Sequence, residues 1–224
     1  MLGLKTLGSD LMAMSGGLFR RRPPIVDAGT LADFIDEQSA FLAQKGIYEY
    51  SRARAGHYAK VLFAEQSFVD AVDRARWVAY PIGLAMVGEL VEGMLRPLAG
   101  AEQDRQREAL GRLVLTVFDR HRTPAALGQQ AWSEARDELQ RRLQLIGVHP
   151  VKRAFEIPSP FARAYFELMP IHKKLRASEL PTMHGYLMAT LCNMHEELTK
   201  RADTAALVAS LLEAAAGECD ARAP

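Results

Sequence analysis

Residues 77–95 read WVAYPIGLAMVGELVEGML and form an almost unbroken apolar stretch. A run of this length is typical of a transmembrane helix or of a helix buried in a protein core. Glu89 and Glu92 lie inside it, and a carboxylate within a bilayer is costly. We therefore expect a core helix that begins near Ser67. Pro81 should kink or split it, because proline lacks the backbone N–H and clashes with the preceding turn.

Helical patterns continue on both sides of this stretch, and no run alternates strictly enough to predict a strand. Capping residues, prolines and glycines predict the other helices over residues 30–55, 101–122, 124–146, 161–176, 183–201 and 204–217. Thr30, Thr123 and Ser159 are the expected start signals of three of them. The sequence thus predicts an all-α fold, a single irregular bundle of about seven to nine helices over residues 25–224.

Residues 1–24 predict an amphipathic, basic appendage to this bundle. On a helix the apolar side chains would share one face that ends in a basic cluster: Leu4, Leu7, Leu11, Met14, Leu18 and Phe19, then Arg20, Arg21 and Arg22. Asp10 and the late arginines argue against a secretory signal. Four glycines weaken such a helix by about 1 kcal/mol each relative to alanine, so it needs a surface to fold against. We expect residues 1–22 to dock on an anionic membrane surface or on a protein.

The overall composition argues against several classes of partner. The net charge is +1, from 28 basic and 27 acidic residues, which does not favour nucleic acid. The two cysteines, Cys192 and Cys219, form no disulfide framework, and a cytoplasmic location fits best.

The sequence contains no recognisable set of catalytic or metal-binding residues. Cys192 and His195 are three residues apart on a predicted helix, but two ligands do not make a zinc site. No phosphate-binding glycine loop occurs either. We therefore predict no metal and no cofactor. The enzymatic alternative is a small helical hydrolase, or another enzyme, with a polar pocket formed by His172, His184, Cys192 and His195.

Residues 139–168 combine a basic amphipathic helix with an aromatic-rich stretch. The residues of interest are Lys152, Arg153, Phe155, Phe161, Tyr165 and Phe166. The aromatic side chains either complete the core or line a groove in which a partner helix docks. The sequence leaves both interpretations open.

Some short motifs are similar to those of the ubiquinol–cytochrome c chaperone family. Residues 48–58 (YEYSRARAGHY), followed by a linker and a long apolar helix, resemble the first half of those domains. Residues 145–148 (LIGV), 151–153 (VKR) and 162–165 (ARAY) resemble the second half. The family's Pro-Asp-Thr and Gly-Arg-Phe signature is absent, since residues 64–68 read AEQSF.

The resemblance implies an all-helical assembly factor at the inner membrane that holds newly made cytochrome b. It implies no catalytic residue, and it marks Lys152, Arg153 and Tyr165 as positions to mutate. Together with residues 1–22, it leads us to predict a non-enzymatic peripheral-membrane or partner-binding protein. Such a protein would act as a chaperone or assembly factor for a membrane complex. It would bind a protein client and an anionic membrane surface, in the cytoplasm or peripherally on the inner membrane.

Overall fold

The computed structural model describes residues 22–176 and 178–220, which form helices and no β-strand. The predicted all-α fold is confirmed. The apolar stripe and the first two arginines of the basic cluster lie outside the described residues. The helices are α1 (Ala28–Ala43), α2 (Tyr50–Ala55), α3 (Ala59–Leu62), α4 (Gln66–Leu95), α5 (Gln103–Asp119), α6 (Gln129–Leu145), α7 (Ala162–Glu167), α8 (Lys173–Arg176), α9 (Leu180–Arg201) and α10 (Thr204–Asp220).

Helix α4 is the centre of the fold and packs against α1, α5, α6, α9 and α10. Residues 83–92 are buried on every face of the helix, whereas its N-terminal half, residues 66–82, includes exposed positions. The segment Gln66–Leu98 is long and apolar enough to cross a membrane, but 78% of its apolar window is buried inside the protein. That burial matches the expected core helix.

Pro81 does not split α4, which is continuous over 30 residues. The proline side chain is itself buried, so packing from the surrounding helices holds the segment helical although one backbone hydrogen bond is missing. Gly83 follows Pro81 by two residues and lies against α1. A Cβ atom at this position would be 3.1 Å from the Ser39 carbonyl oxygen. The glycine thus permits the close approach of α1 and α4.

Helix α1 begins earlier than Thr30. Asp27 is the N-cap, and its carboxylate accepts from the Thr30 N–H at 2.7 Å while the Thr30 hydroxyl receives the Asp27 N–H at 3.2 Å. Just before this capping box the chain is clasped to the end of α9. The Ile25 N–H donates to the Arg201 carbonyl at 2.9 Å, and the Asp203 N–H donates to the Ile25 carbonyl at 3.0 Å.

A π-helical turn, Gln44–Glu49, follows α1 and interrupts the single helix that the sequence predicts to Ala55. Gly46 lies in this turn, where any side chain would collide with the ring of Tyr165. The Tyr165 hydroxyl donates to the Leu42 carbonyl at 2.6 Å. The turn therefore provides the space that this buried tyrosine requires, and the end of α1 provides the acceptor.

One predicted helix start is wrong, and one predicted helix is broken in two. Helix α6 begins after Gly128, which has a positive φ of 78°, and not at Thr123. The helix predicted over residues 161–176 is broken into α7 and α8, because Met169 and Pro170 lie in a non-helical stretch between them. The end of α9 agrees with the prediction, but the helix begins three residues earlier than predicted, at Leu180, and includes Pro181. Asp203 caps α10 by accepting from the Ala206 N–H at 3.1 Å.

Candidate docking surface

Two buried glutamates on α4, Glu89 and Glu92, pair with basic side chains at the edge of the core. Lys152 Nζ donates to Glu89 Oε1 at 2.7 Å, and His149 Nε2 lies 3.4 Å from the same oxygen. The Arg96 guanidinium donates to both carboxylate oxygens of Glu92, at 2.7 and 2.6 Å. Burying these carboxylates is tolerable because each is paired and hydrogen-bonded.

These pairs hold the loop that follows α6 against α4. Arg96 Nη1 also donates to the His149 carbonyl at 2.7 Å. Gly147 ends α6 with a positive φ of 88°, as its position in the sequence predicts. A Cβ atom there would lie 2.7 Å from Arg107 Cδ and 3.2 Å from Glu92 Oε1. The loop backbone is thus fixed by contacts beneath it.

The last residue of α6 and the same loop expose four large apolar side chains, which together with the residues between them we name the 145–155 surface. The exposed fractions are 64% for Leu145, 71% for Val148, 46% for Val151 and 37% for Phe155. They account for half of the large exposed hydrophobic residues found in the described chain. Single exposed apolar residues are normal, but a cluster of them on one loop is typical of an interaction site.

Basic side chains surround these apolar residues. Residues 139–155 contain four lysines or arginines and no acidic residue. Arg141 and Arg153 pair with Glu138 and Glu156 at 2.7 and 3.0 Å, and the two arginine side chains are 67% and 71% exposed. Such exposed pairs contribute only about 0–1 kcal/mol, so both arginines can rearrange toward an external anion.

A cleft of about 380 Å³ opens beside this surface, between α4, α9 and the loop. Leu90, Gly93 and Met94 form its apolar floor. Lys152, Arg153 and His195 line it as well. The structure thus brings one residue of the predicted polar pocket next to two residues of the predicted groove.

The remaining aromatic residues of the predicted groove lie in the core. Tyr165 is fully buried, and Phe161 and Phe166 are at most 7% exposed. Their placement corresponds to the core interpretation of this stretch. Arg142 covers the ring of Phe161 at 5.1 Å, and Arg176 covers that of Phe166 at 5.0 Å, measured to the ring centroids. Only Phe155 reaches the surface, beneath the Arg153 guanidinium at 4.4 Å.

The structure does not gather the other residues of the predicted polar pocket. His184 Nε2 is 3.4 Å from the Ser159 hydroxyl, and His172 Nδ1 accepts from the Lys174 N–H at 3.3 Å. Cys192 is exposed on α9. Within the described residues, no three histidine, cysteine or carboxylate side chains come together as a metal site would need.

One polar cluster escapes sequence analysis altogether. Asp36 on α1 accepts from the Tyr80 hydroxyl at 2.7 Å and lies 3.1 Å from His121 Nε2. The His121 ring packs edge-on against Trp77, at 5.8 Å, and Tyr80, at 4.8 Å. The three polar residues are far apart in the sequence, so no local motif could have revealed them.

The electrostatics of this cluster favour an ionised carboxylate. Burial raises the pKa of Asp36, but the hydrogen bonds from His121 and Tyr80, with the nearby charge of Arg120, lower it further than burial raises it. The result is a pKa below the ordinary value. Because the cluster joins α1, α4 and the end of α5, its evident role is to tie three helices together.

The chain enters the described region at Arg22, the last member of the predicted basic cluster. Its guanidinium pairs with Glu197 on α9 and lies 3.9 Å from Glu37 on α1. The basic residue nearest the bundle is therefore already bound to it. The predictions for Leu4 to Arg21 fall outside the described residues.

Comparison with known proteins identifies no family for this chain. No protein-family model, no curated protein and no solved structure matches the chain.

Proposed function

We propose that this chain is a non-enzymatic peripheral membrane protein that binds an anionic bilayer through its 145–155 surface and residues 1–22. The observation that carries the proposal is the set of exposed apolar side chains of the 145–155 surface together with the exposed guanidinium groups of Arg141 and Arg153 beside it. Apolar side chains at the headgroup boundary and cations near anionic lipids both favour interfacial binding.

The magnitudes are sufficient for reversible binding. Fully burying one Val, Leu or Phe side chain contributes about 1.5–3 kcal/mol, and the four residues of the surface are only partly exposed. Each basic side chain near an anionic surface adds about 1 kcal/mol. The loop costs little to order on binding, because Glu89 and Glu92 already hold it through Lys152 and Arg96.

Stable attachment to a membrane takes two signals, and the chain offers two. The second is the sequence of residues 1–22, with its apolar stripe and its three consecutive arginines. At physiological ionic strength the Debye length is about 8 Å, so salt screens the attraction between the basic side chains and the bilayer. We therefore expect that neither signal alone holds the protein on the membrane. Together they give binding that is salt-sensitive but not abolished by moderate salt.

Cosedimentation with vesicles tests the proposal. The full chain should bind vesicles of phosphatidylcholine and phosphatidylserine and should bind pure phosphatidylcholine vesicles much less. Val148→Asp places a carboxylate at the most exposed apolar position and should lower binding several-fold. Val61→Asp is the matched control, since Val61 on α3 is 60% exposed and lies outside the surface.

A charge reversal examines the basic part of the surface separately. Arg153→Glu should weaken binding to the anionic vesicles, whereas Arg105→Glu should not, although Arg105 makes the same kind of exposed pair, with Glu102 at 2.7 Å. Equal binding by both variants and the unaltered chain would overturn the proposal. So would a change of oligomeric state, instead of vesicle binding, on Val148→Asp, because the surface would then be an interface between copies.

The protein client and the assembly-factor role stay predictions from the sequence resemblance. A membrane-bound protein would be positioned where a membrane complex is built, so the two ideas are compatible. Purification of the tagged chain in mild detergent, with and without Val148→Asp, would show whether a specific membrane subunit is captured through the same surface.

A further inference from the structure

A second cleft, of about 460 Å³, runs between α1 and α9 on the side of the bundle where the chain enters. Residues spaced along one face of α9 line one wall, and residues of α1 and of the π-helical turn after it line the other: Tyr186, Ala189, Thr190, Asn193, Met194 and Glu197, with Gln38, Phe41 and Lys45. Arg22 also lines it, at the end formed by Glu197. The first described residue of the chain therefore stands at one end of an elongated groove.

One basic side chain at this groove lacks a partner in the described structure. Lys45 is exposed and forms no ion pair with a described residue. A carboxylate on an occupant of the groove could pair with it, although an exposed pair contributes only about 0–1 kcal/mol.

We propose that residues 1–19 of this chain dock in the α1/α9 groove as an amphipathic helix. The lengths agree. From Tyr186 to Glu197 the wall of α9 extends over about 16 Å, and from Leu4 to Leu18 the apolar stripe would extend over about 21 Å, at 1.5 Å per residue. The stripe would cover the apolar parts of Phe41, Ala189 and Met194.

The charges agree with the same arrangement. Arg22 is held at the Glu197 end, so the preceding residues would run back toward Lys45. Asp10 precedes Arg22 by about 18 Å of helix, which brings its carboxylate level with the Lys45 end of the groove. The only acidic residue of the segment would thus approach Lys45, which pairs with no acidic side chain among the described residues.

Docking also explains how a glycine-rich segment can become helical. Gly3, Gly8, Gly16 and Gly17 make the isolated helix unfavourable, and short helices are marginal in water even without glycine. Packing of an apolar face supplies most of a helix's stability in proteins. The groove offers such a surface directly beside the point of attachment, where the effective concentration of the segment is high.

This docking does not depend on the proposed function, since it needs no lipid. If both hold, the groove and the bilayer compete for the same apolar stripe. The bound and released forms would then differ in their affinity for membranes, and a ligand of either form would shift the balance.

Disulfide trapping without vesicles tests the docking. In a chain carrying Cys192→Ser and Cys219→Ser, the pair Leu11→Cys and Ala189→Cys should form an intramolecular disulfide under mild oxidation. Ala189 is exposed on the groove wall, so its replacement should not disturb the core. Mass spectrometry of the digested protein would give the yield.

The matched control pairs Leu11→Cys with Glu108→Cys, at an exposed position that lines the cleft between α5 and α6. The groove pair should give a yield several-fold above that of the control. Equal yields, or no groove disulfide in a folded protein, would overturn the docking and leave the vesicle result untouched.

A second measurement uses proteolysis of the protein with both native cysteines. Trypsin should cut after Lys5 several-fold faster in Ala189→Glu than in the unaltered chain, because the carboxylate would oppose burial of the stripe. Ala125→Glu, at an exposed turn before α6, should leave the rate unchanged. Identical rates in all three proteins would contradict the proposal.

Discussion

Residues 145–155 and residues 157–166 follow one another in the chain and are both rich in large apolar side chains, yet they end in opposite environments. The first stretch exposes Leu145 and Val148, whereas the second buries Ile157 and Tyr165. The difference lies in what holds each backbone. Polar contacts to Glu89 and Glu92, together with the buried Ile146, fix the first, so its exposed apolar side chains are not needed for packing. The second is held by those side chains themselves.

The contrast shows why hydrophobicity alone does not locate a binding surface. An apolar residue is exposed at little cost when another interaction determines the position of its backbone. Because the buried glutamates of α4 hold the loop in place, the exposed apolar side chains of the 145–155 surface remain available to a partner. Four substitutions test this explanation of the two stretches, and they follow in order of decreasing effect.

Phe166→Ala should cause the largest loss, about 3–5 kcal/mol of unfolding free energy, because it leaves a cavity in the core beneath Arg176. Phe155→Ala, in the exposed stretch, should cost less than about 1 kcal/mol. Urea denaturation of both variants would measure the difference. Similar losses would break the comparison, since the two stretches would then depend equally on their aromatic side chains.

Glu92→Gln should lower stability by about 3 kcal/mol, because it removes the buried partner of Arg96. It should also speed amide hydrogen exchange in residues 146–152, which Arg96 holds through the His149 carbonyl. The control is Glu138→Gln, whose exposed pair with Arg141 should contribute almost nothing. Unchanged exchange in the loop would show that some other contact positions it.

Asp36→Asn alters a polar cluster that lies away from the loop. It should lower the free energy of unfolding by about 1–2 kcal/mol. The pKa of Asp36 is lowered in the folded protein, so its ionised form stabilises the fold above about pH 4 and this contribution is lost as the pH falls below that value. The difference from the unaltered chain should therefore shrink in acid. Loop exchange at pH 7 should stay the same, in contrast to Glu92→Gln.

Val148→Asp should have the smallest effect on stability, within about 0.5 kcal/mol, because the side chain is 71% exposed. Its effect should appear only in vesicle binding. A stability loss comparable to that of Glu92→Gln would mean that the exposed valine supports the loop after all.

Local signals in the sequence were sufficient for most of the architecture. Pro181 in the first turn of α9, Asp203 at the start of α10 and Gly147 after α6 all act through neighbouring backbone groups, so their effects can be read residue by residue. The burial of residues 77–95 also follows from their composition. These features need no knowledge of the rest of the chain.

Other features depend on distant contacts and could not be predicted in this way. Pro81 remains within a continuous helix because surrounding helices bury it, and the π-helical turn at Gly46 accommodates Tyr165 from far along the chain. The Asp36–His121 contact joins residues 85 positions apart. For the candidate site, the sequence selected Lys152, Arg153 and Phe155, but the exposure of Leu145 and Val148 follows from the way the loop is held.

The clasp at Ile25 has a mechanical consequence. Any pull on residues 1–22, from a bilayer or from thermal motion, would reach the bundle first at the Arg22 ion pairs and then at the two backbone hydrogen bonds that join Ile25 to Arg201 and Asp203. These bonds are close to the junction of α9 and α10, and the Ile25 side chain is fully buried. The load would therefore be shared by the start of α1 and by the junction of α9 and α10, at opposite ends of the described chain.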